Sequence, residues 1–240
     1  MRLCLIPLRT EPRNPAINLE RLRERLEETN AFQPDLVCLP ECTLTGYLWE
    51  EADLRTFAEP IPGKTVQAMA ELARSYSFYL CFGLVEAASE GFYNTALLLS
   101  PQGEVLLKHR KINEQPPYLN GHEVTYVETD FGRIAILTCG DLFHQEAVRQ
   151  LDPEVQLLLV PMSRGFDSVS PDLQRWLNEE RAAYLEAVKR VGKTTAIVNA
   201  LENLPEESAF GGAMVVSANG ELLAEAPHGT DELLVYELVV

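Results

Sequence analysis

The sequence predicts an α/β fold in which two mixed sheets pack face to face with helices outside, a four-layer α-β-β-α sandwich. Short apolar runs alternate with amphipathic helical stretches along the chain, which is typical of α/β proteins. Turn signals such as Asn219-Gly220 also link neighbouring strands as hairpins, and these are too numerous for a purely parallel sheet. With 46% hydrophobic residues and no linker-like stretch, residues 1–240 are expected to form one domain.

The first half of the chain predicts two helices and five strands. Leucines at three- and four-residue spacing predict an amphipathic helix over residues 17–28, and Pro62-Gly63 precedes a second helix over residues 64–77. Apolar runs predict strands at residues 3–7, 35–39, 78–85, 93–99 and 104–108. The turn Pro101-Gln102-Gly103 joins the last two as a hairpin.

The second half begins with an irregular, proline-bearing segment over residues 112–121 and then continues the same alternation. Helices are predicted over residues 145–151 and 171–190. Strands are predicted at residues 124–127, 133–137, 155–160, 194–198, 213–216, 222–226 and 233–238. Every predicted helix therefore has an apolar strand to pack against.

The charge balance excludes some classes of partner. Lys and Arg number 20 against 36 Asp and Glu, a formal charge of -16, which repels nucleic acid and anionic membranes. No apolar run approaches the roughly 18 residues that span a bilayer, and the N-terminal run is too quickly polar for a signal peptide. We therefore expect a cytoplasmic protein without nucleic-acid or membrane partners.

The cysteines and histidines do not predict a metal site. The five cysteines include no CxxC pair, and the four histidines lack the spacing of metal ligands. Cys38 and Cys42 are close in sequence, but a reducing cytoplasm argues against a disulfide between them. No metal or cofactor is expected.

Three reactive residues each follow a predicted buried strand, where a turn can present a side chain on a rigid scaffold: Glu41, Lys111 and Cys139. A thiol with its ordinary pKa near 8.5 needs a base or a nearby cation in order to attack efficiently. Glu41 is a candidate base for the thiol proton, and Lys111 with the Gly140 amide could stabilise an oxyanion. Only an activated Cys139 is expected to alkylate quickly near neutral pH.

In this order the segments resemble the carbon-nitrogen hydrolase (nitrilase-like) superfamily, whose triad is Glu, Lys and Cys. The matching motifs are Pro40-Glu41, Arg110-Lys111-Ile112-Asn113, Cys139-Gly140-Asp141 and Phe210-Gly211-Gly212-Ala213-Met214. The resemblance implies hydrolysis of a small linear amide or N-carbamoyl compound through a thioester on Cys139, with nitriles as a minority alternative. It also implies that Glu114, a second glutamate, orients Lys111 and the amide nitrogen of the substrate.

Departures from the family pattern favour a different hypothesis, a non-catalytic binding or scaffold protein. Gly140 stands where most members have a bulky aromatic residue, and the arginine and proline that usually follow are absent from residues 141–144. Against this hypothesis, a buried lysine and glutamate are costly to desolvate unless they are paired or used. The enzyme is the better interpretation.

Proximity to the motifs predicts the remaining pocket residues. Besides Gly140, the candidates that contact the substrate are Tyr47, Tyr118, Phe143, Met162, Ser163 and Phe166. Arg164 is either a surface residue or a receptor for a substrate carboxylate. His144 is a second choice of base for Cys139. The expected partners are a small amide substrate and further copies of the chain, in a homodimer or larger homo-oligomer.

Overall fold

The fold is built on two six-stranded mixed sheets, in a computed structural model that describes residues 1–166, 172–202 and 208–239. The strands in chain order are β1 (Arg2–Leu5), β2 (Arg9–Thr10), β3 (Leu36–Cys38), β4 (Tyr79–Ala88), β5 (Gly91–Leu99), β6 (Val105–Arg110), β7 (Tyr126–Thr129), β8 (Gly132–Ile136), β9 (Leu157–Met162), β10 (Thr194–Asn199), β11 (Leu201–Glu202), β12 (Ala213–Val216), β13 (Leu222–Ala226) and β14 (Leu234–Glu237).

Both sheets have the same plan of parallel strands flanked by antiparallel ones. The first sheet runs β14-β1-β3-β4-β5-β6 and the second runs β13-β12-β10-β9-β8-β7. In the first sheet β1, β3 and β4 are parallel, and in the second β8, β9 and β10 are parallel. The other pairs in the two sheets are antiparallel, so both sheets are mixed, as predicted.

Helices cover the outer face of each sheet. The α-helices in chain order are α1 (Pro15–Thr29), α2 (Glu51–Phe57), α3 (Lys64–Tyr76), α4 (Gln145–Arg149), α5 (Leu173–Arg175) and α6 (Arg181–Val191). Helices α1 and α3 pack on the first sheet through apolar residues that include Leu22, Leu26 and Met69. Helix α6 packs on the second sheet through Tyr184 and Val188.

Alternation along the strands divides the apolar residues between the layers. In β1, Leu3 and Leu5 pack in the core between the two sheets, whereas Cys4 packs toward the helices. Side chains of a strand point alternately to its two faces, so one short apolar run supplies both cores. The predicted four-layer α-β-β-α sandwich is confirmed.

Several element boundaries differ from the predicted ones for local reasons. The amide of Val124 bonds the side chain of Gln150 at 3.2 Å, and β7 begins only at Tyr126. The amide of Val155 closes a turn to Asp152 at 3.1 Å, so β9 begins at Leu157.

The predicted helix over residues 171–190 is interrupted by a π-helical turn, Trp176–Glu180, between α5 and α6. Residue 171 lies outside the described residues. Helix α2, with only Leu54 buried, carries too little apolar periodicity to be predicted.

Candidate active site

Three turns bring Glu41, Lys111 and Cys139 to one cavity. Glu41 follows β3, Lys111 follows β6 directly, and Cys139 begins a short 3₁₀ helix, Cys139–Phe143, after β8. The cavity has a volume of about 520 Å³ and is lined by Glu41, Tyr47, Trp49, Lys111, Asn113, Glu114, Gln115, Cys139, Gly140, Ser163, Arg164, Gly165 and Phe166.

A glycine on the neighbouring strand lets the Glu41 turn pack closely. Gly83 of β4 accepts the amide of Thr43 at 2.9 Å and donates to the carbonyl of Pro40 at 3.2 Å. A Cβ atom at Gly83 would lie 2.5 Å from the Cys42 nitrogen and 2.8 Å from the Glu41 Cα. Because real side chains do not approach backbone so closely, the position of Glu41 depends on this glycine.

The Glu41 carboxylate is buried and accepts three hydrogen bonds. Its Oε1 atom accepts from Asn94 Nδ2 at 2.6 Å and from Lys111 Nζ at 2.9 Å. Its Oε2 atom accepts from the Ser163 amide at 2.8 Å. A carboxylate has about four acceptor sites, so one site remains on Oε2 for a proton from outside this network.

Lys111 lies between two carboxylates. Its Nζ atom is 2.9 Å from Glu41 Oε1 and 3.0 Å from Glu114 Oε2. Burial disfavours the ammonium, but the negative charges of Glu41 and Glu114 outweigh it and raise the pKa of Lys111 well above its ordinary value. An ammonium has three donors, and the two contacts leave one for a substrate oxygen.

Glu114 is fully engaged within the protein. Its Oε1 atom accepts from the Tyr47 hydroxyl at 2.6 Å and the Gln115 amide at 2.9 Å. Its Oε2 atom accepts from Asn94 at 2.8 Å and contacts Lys111. Three hydrogen bonds and one ion pair therefore hold the two carboxylate oxygens. Glu114 is therefore placed to orient the lysine, but contact with a substrate nitrogen would require one of these bonds to break.

Asn94 links the two carboxylates and was not predicted. It is buried on β5, and its Nδ2 atom donates one hydrogen to each of Glu41 and Glu114. Its Oδ1 atom lies 3.8 Å from the Cys42 thiol, which donates to it. The sequence did offer one indication: Asn94 interrupts the apolar strand at residues 91–99, and a buried polar side chain needs hydrogen-bond partners.

The thiol of Cys139 is placed on a strained turn. Its φ angle is 48°, in the left-handed region that residues with side chains rarely adopt. Burial, followed by the charge of Glu41, raises its pKa to about 12, although Lys111 opposes the shift. A raised pKa favours a protonated resting thiol, and so argues against the fast alkylation near neutral pH that the sequence predicts.

Asp141 ties the nucleophile turn to the lysine loop, and its role was also missed. The carboxylate is fully buried. Its Oδ1 atom accepts the amides of Ile112 at 3.0 Å and Asn113 at 2.8 Å. Its Oδ2 atom contacts His109 Nε2 at 2.8 Å and the Thr138 amide at 3.3 Å. The motif Cys139-Gly140-Asp141 includes this residue, but the motif does not show which groups the Asp141 carboxylate contacts.

Gly140 leaves the cavity wall open beside the nucleophile. A Cβ atom there would meet nothing closer than Asn113 Nδ2 at 3.5 Å, which is ordinary van der Waals contact. The backbone at this position does not require glycine. The absence of the aromatic side chain therefore adds free space next to Cys139.

The other predicted pocket residues divide into two groups. Tyr47, Ser163 and Phe166 line the cavity together with Gly140 and Arg164. Tyr118, Phe143 and Met162 are not among the described residues that line it.

Each of these three side chains has a different surrounding from the one predicted. The ring of Tyr118 lies 5.5 Å behind that of Tyr47, Phe143 packs on Tyr184 at 5.1 Å, and Met162 is buried among the helix-facing residues of the second sheet. Proximity to a motif does not determine which face of the backbone a side chain occupies. His144, the alternative base, does not line the cavity within the described part of the chain.

Other features of the described residues lie apart from this site. A second cavity of about 670 Å³ lies between α1, α2 and α3 and contains none of the predicted catalytic residues. No cluster of His, Cys, Asp and Glu side chains within residues 1–166, 172–202 and 208–239 is suited to hold a metal ion. In the same ranges, no helix has the length and apolar character needed to cross a membrane.

Comparisons with known proteins identify the family. The carbon-nitrogen hydrolase family matches residues 7–240. The omega-amidase NIT2 of Bos taurus is 27% identical over 98% of this chain and 87% of its own length. An (R)-stereoselective amidase of a Pseudomonas species is also 27% identical, over 97% of this chain and 82% of its own length.

Solved structures share the fold. Nit3 of Saccharomyces cerevisiae, a member of branch 10 of the nitrilase superfamily, has a TM-score of 0.84 at 22% identity and covers 98% of this chain and 89% of its own. A carbon-nitrogen hydrolase of Helicobacter pylori has a TM-score of 0.85 at 20% identity, over 98% and 88% of the two chains. Because the family match spans nearly the whole sequence, the chain belongs to the carbon-nitrogen hydrolase family.

Proposed function

We propose that this protein hydrolyses the carbon–nitrogen bond of a small linear amide or N-carbamoyl compound through a thioester on Cys139. The observation that supports this most strongly is that the cavity contains hydrogen-bonding sites that the protein itself does not use. Glu41 has one unused acceptor site, Lys111 has one unused donor, and both line the cavity with the Cys139 thiol. The amidase names of the relatives support the same reaction class.

In the first half of the reaction, Cys139 Sγ attacks the carbonyl carbon and its proton passes to Glu41 Oε2. The carbonyl oxygen gains negative charge, and the free N–H of Lys111 stabilises it together with the Gly140 amide. That amide lies in the first turn of the 3₁₀ helix, where N–H groups have no partner within the helix. Glu41 then gives the proton to the leaving nitrogen, the C–N bond breaks, and ammonia or an amine departs.

In the second half, water hydrolyses the thioester. Glu41 takes a proton from water as the oxygen attacks the carbonyl carbon, and Lys111 again stabilises the oxyanion. The C–S bond breaks, the proton returns from Glu41 to the Cys139 sulfur, and the carboxylic acid or carbamic acid leaves. Each group is thus restored after one turnover.

The charges around Cys139 support proton transfer during the attack on the carbonyl carbon. Glu41, Lys111 and Glu114 together carry one negative charge, which opposes a preformed thiolate beside them. Because burial and Glu41 raise the pKa of Cys139 to about 12, the proton leaves during attack and not before it. Glu41 then acts as a general base, a role that contributes a factor of about 10² to 10⁴ in comparable enzymes.

Ammonia release from a panel of small amides, ω-amides and N-carbamoyl amino acids tests the proposal. Turnover should disappear in Cys139→Ala and persist in the matched control Cys4→Ala, because Cys4 is buried between the first sheet and its helices. Turnover that survives in Cys139→Ala would contradict the mechanism. If the native chain turns over no panel member, the proposal fails and a binding or scaffold protein becomes the better interpretation.

A further inference from the structure

His109 is a buried polar side chain that the proposed mechanism does not use. It lies on β6, two residues before Lys111, and is 2% exposed. Side chains of a strand alternate between its two faces, so His109 points to the same side as Leu107, which packs in the core between the two sheets. An imidazole in this apolar layer needs a polar partner.

The partner of His109 belongs to the other sheet. Its Nε2 atom is 2.8 Å from Oδ2 of Asp141, which is fully buried. Strand β6 lies in the first sheet, whereas Asp141 lies in the 3₁₀ helix that follows β8 of the second sheet. The contact therefore joins the strand that ends before Lys111 to the turn that begins at Cys139.

The imidazole makes no second hydrogen bond within the described part of the chain. Its Nδ1 atom is buried and has no partner there. A buried polar atom without a partner destabilises a fold, and an apolar side chain would pack in this layer without that cost. Packing alone therefore does not require a histidine at this position, and the bond to Asp141 is the feature that an apolar residue would lack.

The two oxygens of Asp141 hold different parts of the site. Oδ1 accepts the amides of Ile112 at 3.0 Å and Asn113 at 2.8 Å, both on the lysine loop. Oδ2 accepts the Thr138 amide at 3.3 Å, so His109 makes the shorter bond to this oxygen. Without His109, the lysine side of the carboxylate would keep both of its bonds, while the cysteine side would keep one long bond.

We infer that His109 is a positioning residue that fixes the Cys139 turn through Asp141. Cys139 has a left-handed backbone, with a φ angle of 48°, and such a conformation persists only where the surrounding structure supports it. Asp141 lies two residues after Cys139 and supplies that support from Oδ2. The inference rests on the proposed function only for its effect on turnover, because the order of the turn can be measured without a substrate.

Ammonia-release kinetics of three variants test the inference. His109→Leu removes a hydrogen bond to a charged group, so kcat should fall about tenfold or more. KM should stay within about twofold of native, because the nucleophile and not the substrate loses support. His109→Gln places an amide N–H near the position of Nε2 and should keep kcat to within about threefold of native.

Leu107→Ala is the matched control. It removes a buried side chain from the same strand and the same layer as His109, but it leaves the bonds to Asp141 in place. Its kcat should stay within about threefold of native, since a loss of packing lowers stability without changing the folded site. Thermal unfolding of each variant shows whether it is folded.

Hydrogen–deuterium exchange measures the order of the turn directly. In His109→Leu, peptides that contain residues 138–143 should exchange about tenfold faster, whereas peptides that contain residues 41–46 should exchange at the native rate. His109→Gln should exchange like the native chain in both segments. A general loss of stability would instead speed exchange in both.

Equal kcat in His109→Leu and Leu107→Ala, or native exchange at residues 138–143 in His109→Leu, would overturn the inference. If His109→Leu does not fold, His109→Gln decides: a folded glutamine variant with kcat lowered more than tenfold would also overturn it. If the native chain hydrolyses no panel amide, the proposed function fails, and exchange at residues 138–143 alone decides the role of His109.

Discussion

Replacing Asn94 by alanine removes the amide that links the two active-site carboxylates. Two hydrogen bonds disappear, at 2.6 Å to Glu41 and 2.8 Å to Glu114, while Lys111 keeps its contacts with both. A hydrogen bond to a charged group contributes about 1.5–3 kcal/mol. If the transition state loses the contribution of one such hydrogen bond because Glu41 is less well positioned for proton transfer, kcat/KM falls roughly 10- to 150-fold. Each 1.36 kcal/mol of lost stabilisation corresponds to a factor of ten in rate.

The assay pairs ammonia-release kinetics with denaturant unfolding and uses Thr95→Val as the control. Thr95 is the next residue on β5, and its hydroxyl donates to the carboxylate of Glu86 at 2.8 Å. Both variants should lose about 1.5–4 kcal/mol of unfolding free energy, but only Asn94→Ala should lose activity beyond twofold. Equal activity in the two variants would refute the positioning role of Asn94.

Three further predictions follow from the geometry of the turns. Gly83→Ala should unfold at a lower denaturant concentration and lose most activity, because its Cβ would displace the Glu41 turn. Gly140→Ala should keep its unfolding free energy to within about 1 kcal/mol, because its Cβ has room. Equal losses of stability in the two variants would contradict this difference between the glycines. The raised pKa of Cys139, about 12, predicts that its alkylation rate rises about tenfold per pH unit from pH 7 to 10; a plateau below pH 8 would be inconsistent. Asp141→Asn replaces one accepting oxygen by a donor and should cost about 2–4 kcal/mol in denaturant unfolding, which near-native stability would disprove.

The fold was predictable because short-range patterns in the sequence indicate which layer each side chain faces. Alternation within β1 sends Leu3 and Cys4 to opposite cores, and such alternation is visible in the sequence. Interruptions were not predictable. The π-helical turn Trp176–Glu180 lies within a stretch of continuous helical periodicity, so no local signal distinguished it from an α-helix.

The convergence of Glu41, Lys111, Glu114 and Cys139 on one cavity was predictable, because each of them lies in a recognisable segment of the sequence. Asn94 and Asp141 were missed because their roles depend on contacts between strands that are distant in sequence. The predicted and observed cavity-lining residues also differ because the sequence does not give side-chain direction. Met162, for example, immediately precedes the cavity-lining Ser163 but is buried in the core. The single domain, the cytoplasmic location and the homodimer stay predictions.

Mass spectrometry of the rapidly quenched enzyme can detect a thioester on Cys139. During turnover of a panel amide, we expect a covalent adduct with the mass of the acyl group on the peptide that contains Cys139, and no adduct on that peptide in Cys139→Ala. Glu41→Gln should slow both formation and decay of the adduct, because the proposed mechanism transfers a proton through Glu41 in each half of the reaction. Steady turnover without any adduct, or an adduct on a different residue, would contradict a Cys139 thioester mechanism.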